Sequence, residues 1–277
     1  MRGVNVPYSW YKGDLGSVLP AVAKTGANVI RAVLGDGGKY ERDDAASVKR
    51  LLDQCKASKL VAVLEVHDAT GSDDVKTLER AADYWVSVAG VLKGHEDSAV
   101  INVANEWHGS SGKAAEWARG YQAVLPRLRQ AGLSHLLLVD APGWGQDAAA
   151  IAQQGRAVLQ ADPLRNTAFS IHMYEVAGAN ADTIRRNIEG SLATGAPVVV
   201  GEFGNAQNGK PVDYHSILDY CHDHAVGWLA WSWFGNNKDT ASLDMAYGST
   251  GHLTPWGHEI VKGKHGLRKE AKKANGW

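Results

Sequence analysis

Residues 60–67 read LVAVLEVH: five apolar residues, then Glu65, Val66 and His67. A run this short, apolar and β-branched suits a strand buried on both faces of a parallel sheet. Its turn to polar chemistry at the C-terminal end is what a strand ending at a site would show. Similar runs occur at 3–6 (GVNV), 28–34 (NVIRAVL), 100–106 (VINVANE), 136–140 (LLLVD), 168–174 (AFSIHMY), 197–203 (PVVVGEF) and 228–234 (WLAWSWF). Amphipathic stretches of helical spacing lie between them. In 43–58, Ala46, Val48, Leu51, Leu52 and Cys55 form one stripe, with Asp43 or Asp44 as the N-cap. Residues 113–131, 183–193 and 212–225 behave alike, and Gly26, Gly132 and Gly195 stand where helices exit. Strand starts recur at steps of 25 to 40 residues, one βα unit each. Eight such units predict a single closed (β/α)8 TIM barrel over 1–277. A dinucleotide-binding open sheet would carry G-x-G-x-x-G after its first strand, and residues 3–20 have none.

Composition agrees and narrows the function. The 277 residues are 44% hydrophobic and 21% charged, an ordinary globular balance. With 29 basic and 30 acidic residues, there is no electrostatic footprint for nucleic acid or an anionic membrane. No apolar run is long enough to span a bilayer. Residues 1–10, MRGVNVPYSW, show no charged-then-apolar leader, so no signal peptide is expected in this chain. The basic tail, about 262–277, reads as a surface helix or frayed end. Cys55 and Cys221 fall on different helices and read as packed thiols. Tryptophan outnumbers phenylalanine, 10 to 3, and flat rings of this size suit stacking on sugars.

A barrel of this kind places its active site at the C-terminal strand ends. There the chain carries Arg31, His67, Asn105-Glu106-Trp107, His172 with Tyr174, Glu202, and Trp231 with Trp233. Burying such groups costs several kcal/mol each unless they are paired, and packing alone does not explain six strands ending this way. Glu106 and Glu202, from the fourth and seventh strands, face one another across the mouth. Two carboxyl groups flanking a cleft are what glycosidic bond cleavage requires: one donates a proton, the other attacks or assists at the anomeric carbon. Arg31, His172 and Tyr174 are placed to hold Glu202 ionised and aligned, and Asn105 to bind a sugar hydroxyl. Trp10, Trp107, Trp144, Trp231 and Trp233 sit at or just beyond strand ends and are expected to line a sugar groove. Trp85, Trp117 and Trp256 are expected in the core, and Trp228 below the site.

With those residues in place, the chain resembles glycoside hydrolase family 5, a clan of retaining (β/α)8 enzymes. The resemblance runs over nearly the whole chain. The family's strand-2 arginine matches Arg31, its strand-3 histidine His67, and its Asn-Glu pair Asn105-Glu106, where the glutamate is the acid/base. Its strand-6 His-x-Tyr matches His172 and Tyr174, its nucleophile Glu202, and its strand-8 tryptophan Trp231. The wording LEVHDATG, INVANEW, VVVGEFGN and LAWSWFGN is most similar to the bacterial endo-β-1,4-mannanases of the family. The resemblance implies double displacement on β-mannan, no cofactor and no metal, and a secreted, monomeric enzyme. Many members open with a β-hairpin before the first strand; here that strand begins at once, so the hairpin is expected to be absent.

Other readings are weaker. An endo-β-1,4-glucanase would use the same two glutamates. A metal-dependent barrel hydrolase would show His-x-His on the first strand, where Val4-Asn5-Val6 stands. A barrel that only binds polysaccharide would lack one glutamate. His222-Asp223-His224 looks like a metal cluster but reads as a surface helix end, and HExxH and CxxC are absent from the sequence. Residues 201–209, GEFGNAQNG, are glycine-rich after a strand, but Glu202 would repel a phosphate. Asp239 and Asp244 read as solvated loop residues.

Overall fold

The computed structural model describes residues 1–274. Eight strands close into one barrel: β1 (Arg2–Val6), β2 (Val29–Leu34), β3 (Val61–Val66), β4 (Ala99–Asn102), β5 (Leu137–Asp140), β6 (Thr167–Met173), β7 (Val198–Phe203) and β8 (Gly227–Ala230). Neighbours follow chain order and β8 pairs with β1, every pair parallel. The helices outside are α1 (Leu15–Lys24), α2 (Ala45–Ala57), α3 (Val75–Ser87), α4 (Ala114–Gln130), α5 (Ala148–Ala161), α6 (Ala181–Leu192), α7 (Tyr214–Asp223) and α8 (Pro255–Lys262). Side chains in the preceding loops start them. Asp44, Asp74, Asp147, Asn180 and Asp213 accept from first-turn N–H groups, and Thr254 does the same before Pro255. Gly26, Gly132 and Gly195 take positive φ after α1, α4 and α6, as the sequence predicts. No helix among the described residues is long and apolar enough to cross a membrane.

Side chains alternate along a strand, so every second residue faces the barrel axis. Val29, Val63, Val100, Leu138, Ala168, Val199 and Leu229 form an apolar layer there, separate from the larger core between sheet and helices. Two residues further up each strand stand Arg31, Glu65, Asn102, Asp140, Ser170, Gly201 and Trp231, with Asn5 from β1. The upper layer is therefore polar, and it forms the floor of the site. Gly201 is its close approach: a Cβ there would lie 2.2 Å from Ser170 Oγ and 3.3 Å from His172 Nε2.

Two strands stop earlier than the sequence predicts. β4 ends at Asn102 rather than 106, and β8 at Ala230 rather than 234. In the first case the chain must turn inward, and Glu106 sits at φ +47, outside strand space. In the second, the Trp231–Ser232 peptide is cis. Core tryptophans serve backbone near these ends. The indole N–H groups of Trp85, Trp117 and Trp256 donate to the carbonyls of Val103 (2.8 Å), Asp140 (3.0 Å) and Trp231 (3.2 Å). Trp228 is fully buried beside Phe203, below the site.

The basic tail is not frayed over its described part. Residues Leu267–Glu270 make one helical turn, and Leu267 is fully buried. Asn28 Nδ2 donates to the Lys272 carbonyl at 2.7 Å. Residues 275–277 of the predicted tail, Trp277 included, lie outside the described residues. Cys55 and Cys221 are both free and buried, and burial pushes each thiol up to about 12.

Candidate active site

Arg31 organises the upper layer. Its guanidinium, fully buried at the axis, donates from Nε to Asn102 Oδ1 (2.8 Å) and from Nη1 to Asn5 Oδ1 (3.0 Å) and Glu202 Oε1 (2.8 Å). Nη2 donates to Asn105 Oδ1 (2.5 Å) and lies 3.5 Å from Asp140 Oδ2. Glu65 stands 3.7 Å away. Burial works against the charged form, but Glu65, Glu202, Asp140 and Glu106 overcome it and hold Arg31 above its ordinary range.

Glu202 accepts from Arg31 on one oxygen and from the Tyr174 hydroxyl on the other, at 2.9 Å. Burial first, then Glu202, keeps the Tyr174 phenol well above its usual pKa, so it remains a donor. Glu106 is held differently. Its backbone N–H donates to Asp140 Oδ2 (3.1 Å), and its Oε1 lies 2.8 Å from His172 Nδ1. The sequence suggests that His172 holds Glu202; instead Glu202 is 3.6 Å from the ring and Glu106 takes the hydrogen bond. On its far side, His172 Nε2 lies 3.5 Å from Asp140 Oδ2. Burial opposes the imidazolium, but Glu202, Asp140 and the bond to Glu106 push His172 up to about 10. Burial also opposes the Asp140 carboxylate, and His172, Arg31 and the Glu106 N–H override it, bringing Asp140 down to about 2. One atom each of Glu106, His172 and Glu202 lies within 4.8 Å of the others. Such a trio could ligate a cation, but an imidazolium has no free lone pair to offer one.

Above the carboxyl groups opens a cleft of about 1060 Å³. Trp10, His67, Asn105, Glu106, Trp144, Tyr174, Glu202 and Trp231 all line it, as the sequence predicts. Trp10 and Trp144 are 42% and 53% exposed, open faces for a flat ligand. His67 stacks on Trp231 with centroids 6.1 Å apart, and its Nδ1 meets Glu65 at 2.9 Å. Burial lowers the His67 pKa, but Glu65, Glu202 and Glu106 raise it overall. Asn105 is clamped between Arg31 and the Thr70 hydroxyl, to which its Nδ2 donates at 2.8 Å.

Arg31 and His172 lie behind the cleft wall rather than in it. Trp107 and Trp233 are corrections: both are buried, at 2% and 0%, and neither lines the cleft. Trp107 turns outward, packs on Tyr121 and donates to the Asp74 carbonyl at 3.1 Å, so the residue after Glu106 faces the helices. Trp233 belongs to the core below the loop that carries Gly251. Asp244 proves structural: its Oδ1 accepts from Asn236 Nδ2 at 2.7 Å, and Asn236 in turn receives the Trp231 indole N–H at 2.9 Å.

Asp140, Asn5 and Asn102 join the site without being expected there from the sequence, and Glu65, read as the polar end of its strand, proves to be a partner of Arg31 and His67. The signal was available, since each sits two residues after an inward apolar residue or in register with Arg31. Tyr11 and Phe234, in contact at the cleft edge (4.8 Å), carried no such signal.

Residues 1–237 match the family model for cellulase, glycosyl hydrolase family 5. The chain is 48% identical over 273 residues to a mannan endo-1,4-beta-mannosidase of Salipaludibacillus agaradhaerens, covering 98% of this chain and 88% of that protein. It superposes on a beta-mannanase from Thermomonospora fusca with a TM-score of 0.93 and 37% identity, over 99% and 92% of the two chains. A mannohexaose complex of that beta-mannanase gives 0.91, at the same identity and coverage.

Proposed function

The chain belongs to glycosyl hydrolase family 5, and on that premise we propose that it is a retaining endo-β-1,4-mannanase acting on mannan, glucomannan or galactomannan. One observation carries the mechanism: Glu106 and Glu202 present carboxyl oxygens within 4.8 Å of each other. Retaining glycosidases hold their carboxyl groups about 5–5.5 Å apart, inverting ones about 6.5–9.5 Å. No room is left for a water between carboxylate and sugar.

Glu202, aligned by Arg31 and Tyr174, attacks the anomeric carbon as the glycosidic C–O bond breaks. Glu106 protonates the departing oxygen. A covalent glycosyl-enzyme results. Glu106 then takes a proton from water, whose oxygen enters on the face the leaving group vacated, opposite Glu202, and displaces it; two inversions retain the configuration. His172, charged, steadies Glu106 through Nδ1 and is itself held by Asp140. Trp10, Trp144 and Trp231 supply flat surfaces for successive rings.

The mannan assignment is supported by the relatives' names and by the mannohexaose complex of a similar beta-mannanase. A polymer too large to enter a cell supports an extracellular site of action. A closed barrel, with no unpaired strand edge, supports a monomer. The test is reducing-sugar release from galactomannan, glucomannan and carboxymethylcellulose, beside Glu202→Ala. Release from both mannans only, lost in the variant, is expected. Release from the cellulose derivative alone would keep the family and overturn the substrate.

A further inference from the structure

We propose that His222, His265 and Glu270 form a zinc site on the bottom of the barrel, far from the cleft, that fastens the segment after α8 to α7. The sequence motif His222-Asp223-His224 contains one of the three residues but neither of its partners. His224 instead stacks on Tyr220, centroids 4.1 Å apart. His222 ends α7, while His265 and Glu270 come from the turn and short helix beyond α8. One ligand atom from each lies within 4.8 Å of the other two.

The arrangement has the spacing that zinc needs. Bonds of about 2.0–2.2 Å in a tetrahedron put neighbouring ligand atoms roughly 3.3 Å apart. His265 Nδ1 and His222 Nδ1 hydrogen-bond the two oxygens of Glu270, at 3.3 Å to Oε1 and 2.8 Å to Oε2, and one atom from each residue falls within 4.8 Å of the others, close enough for one zinc to replace those bonds. Two imidazoles and a carboxylate suit zinc, and they leave a fourth position for water. The His222 side chain is 46% exposed, so an ion has a way in.

The surroundings point the same way. Asp219 Oδ1 lies 3.3 Å from His265 Nε2, the side away from Glu270. A carboxylate on the far nitrogen is what orients a metal-bound histidine. A neutral His265 has one N–H to share between two carboxylates. If it goes to Asp219, the Nδ1 lone pair faces Glu270, the orientation a metal ligand needs. The His222 and His265 rings lie tilted against one another with centroids 4.1 Å apart, which brings both to one point. Lys264, 3.2 Å from Asp219, offsets that carboxylate's charge and leaves Glu270 as the anionic ligand.

The experiment is calorimetric titration of ZnCl2 into the whole chelator-treated protein at pH 8, with thermal melts at matched zinc. One zinc per chain is expected, and a Tm rise of about 5 °C when free zinc is a hundredfold above Kd. His222→Ala and His265→Ala should each lose binding and the Tm rise, with mannan hydrolysis in the absence of zinc unchanged. Glu270→Gln serves where either fails to fold. Glu202→Gln should bind zinc as the parent does. Absence of binding, binding that survives both histidine variants, or binding lost in Glu202→Gln would each overturn the proposal, the last by placing the metal in the cleft.

Discussion

At the height of Val63 and Leu138 the barrel axis is filled with hydrocarbon; at Glu65 and Asp140, two residues along the same strands, it is filled with charge. Val63, Leu138, Glu65 and Asp140 are all buried, yet the two layers answer to different physics. Each apolar side chain contributes independently, about 1.5–3 kcal/mol by leaving water. The charged layer gains little net stability, because desolvating ions costs about what their pairing returns. It is stable only when complete, since every member is another's partner. The lower layer supports the fold; the upper one trades that stability for the alignment of two carboxyl groups.

The largest test of the difference is chemical. Glu106→Gln should lower kcat on galactomannan on the order of 10²–10⁴-fold, with Tm within a few degrees of the parent. On an aryl mannobioside, whose leaving group needs no proton, the glycosylation burst should survive. A burst lost on both substrates would remove Glu106 from the acid role.

The next contrast sets one layer against the other. Arg31→Met strands Glu65, Asp140 and Glu202 without their cation, and should cost about 3–5 kcal/mol of stability together with most of kcat. Leu138→Ala should cost a similar 2–5 kcal/mol through its cavity, yet leave kcat at 25 °C near the parent value. Denaturant melts beside initial rates separate the two. Equal loss of activity in both would mean that the layers are not distinct.

Alkali should sharpen the contrast further. His172 is raised to about 10 from an unfolded value near 6.5, so its stabilisation is fully present below about 6.5 and is lost as pH rises through about 10. Asp140 is lowered to about 2, so its contribution holds above about 4 and is lost as pH falls through about 2. Tm should therefore decline from pH 7 to 10. In Asp140→Asn, which removes an anion from His172, the decline should be smaller and end at lower pH. The Tm deficit of Leu138→Ala should stay the same across that range, because no proton is involved.

The smallest effect expected is at the rim. Trp144→Ala should raise KM on mannan about 3- to 10-fold by losing a stacking face, with Tm unmoved. Trp107→Ala, buried, should do the reverse: about 3–5 kcal/mol of stability lost and KM retained.

The barrel was legible because the pattern behind it is local: apolar runs, helical stripes between them and caps at the helix starts. Glu106 and Glu202 were legible because strand ends in a barrel point to one place. Asp140 is hard to find in the sequence because a single carboxylate closing the strand LLLVD looks like a strand end, and only the closed barrel turns it towards Arg31. Trp107 and Trp233 were misplaced because period-two logic fails where the chain has left the sheet, after Asn102 and Ala230. The bond between His172 and Glu106 joins residues 66 apart, and only the closed barrel determines which glutamate is nearer.

The Arg31–Glu202 pair spans 171 residues of chain, and this has a consequence for how the protein is made. At about 5–20 residues per second, the ribosome releases Arg31 roughly 10–30 s before the carboxylate it holds. Asn102 and Asp140 arrive in between. The strand that closes the ring against β1 comes later still. For that interval the guanidinium has no finished interior to enter and must stay in water, keeping the half-built sheet open. Slowed translation between these two codons should therefore lengthen the window in which a nascent chain is vulnerable to proteases and chaperone capture, while the same delay after β8 should not.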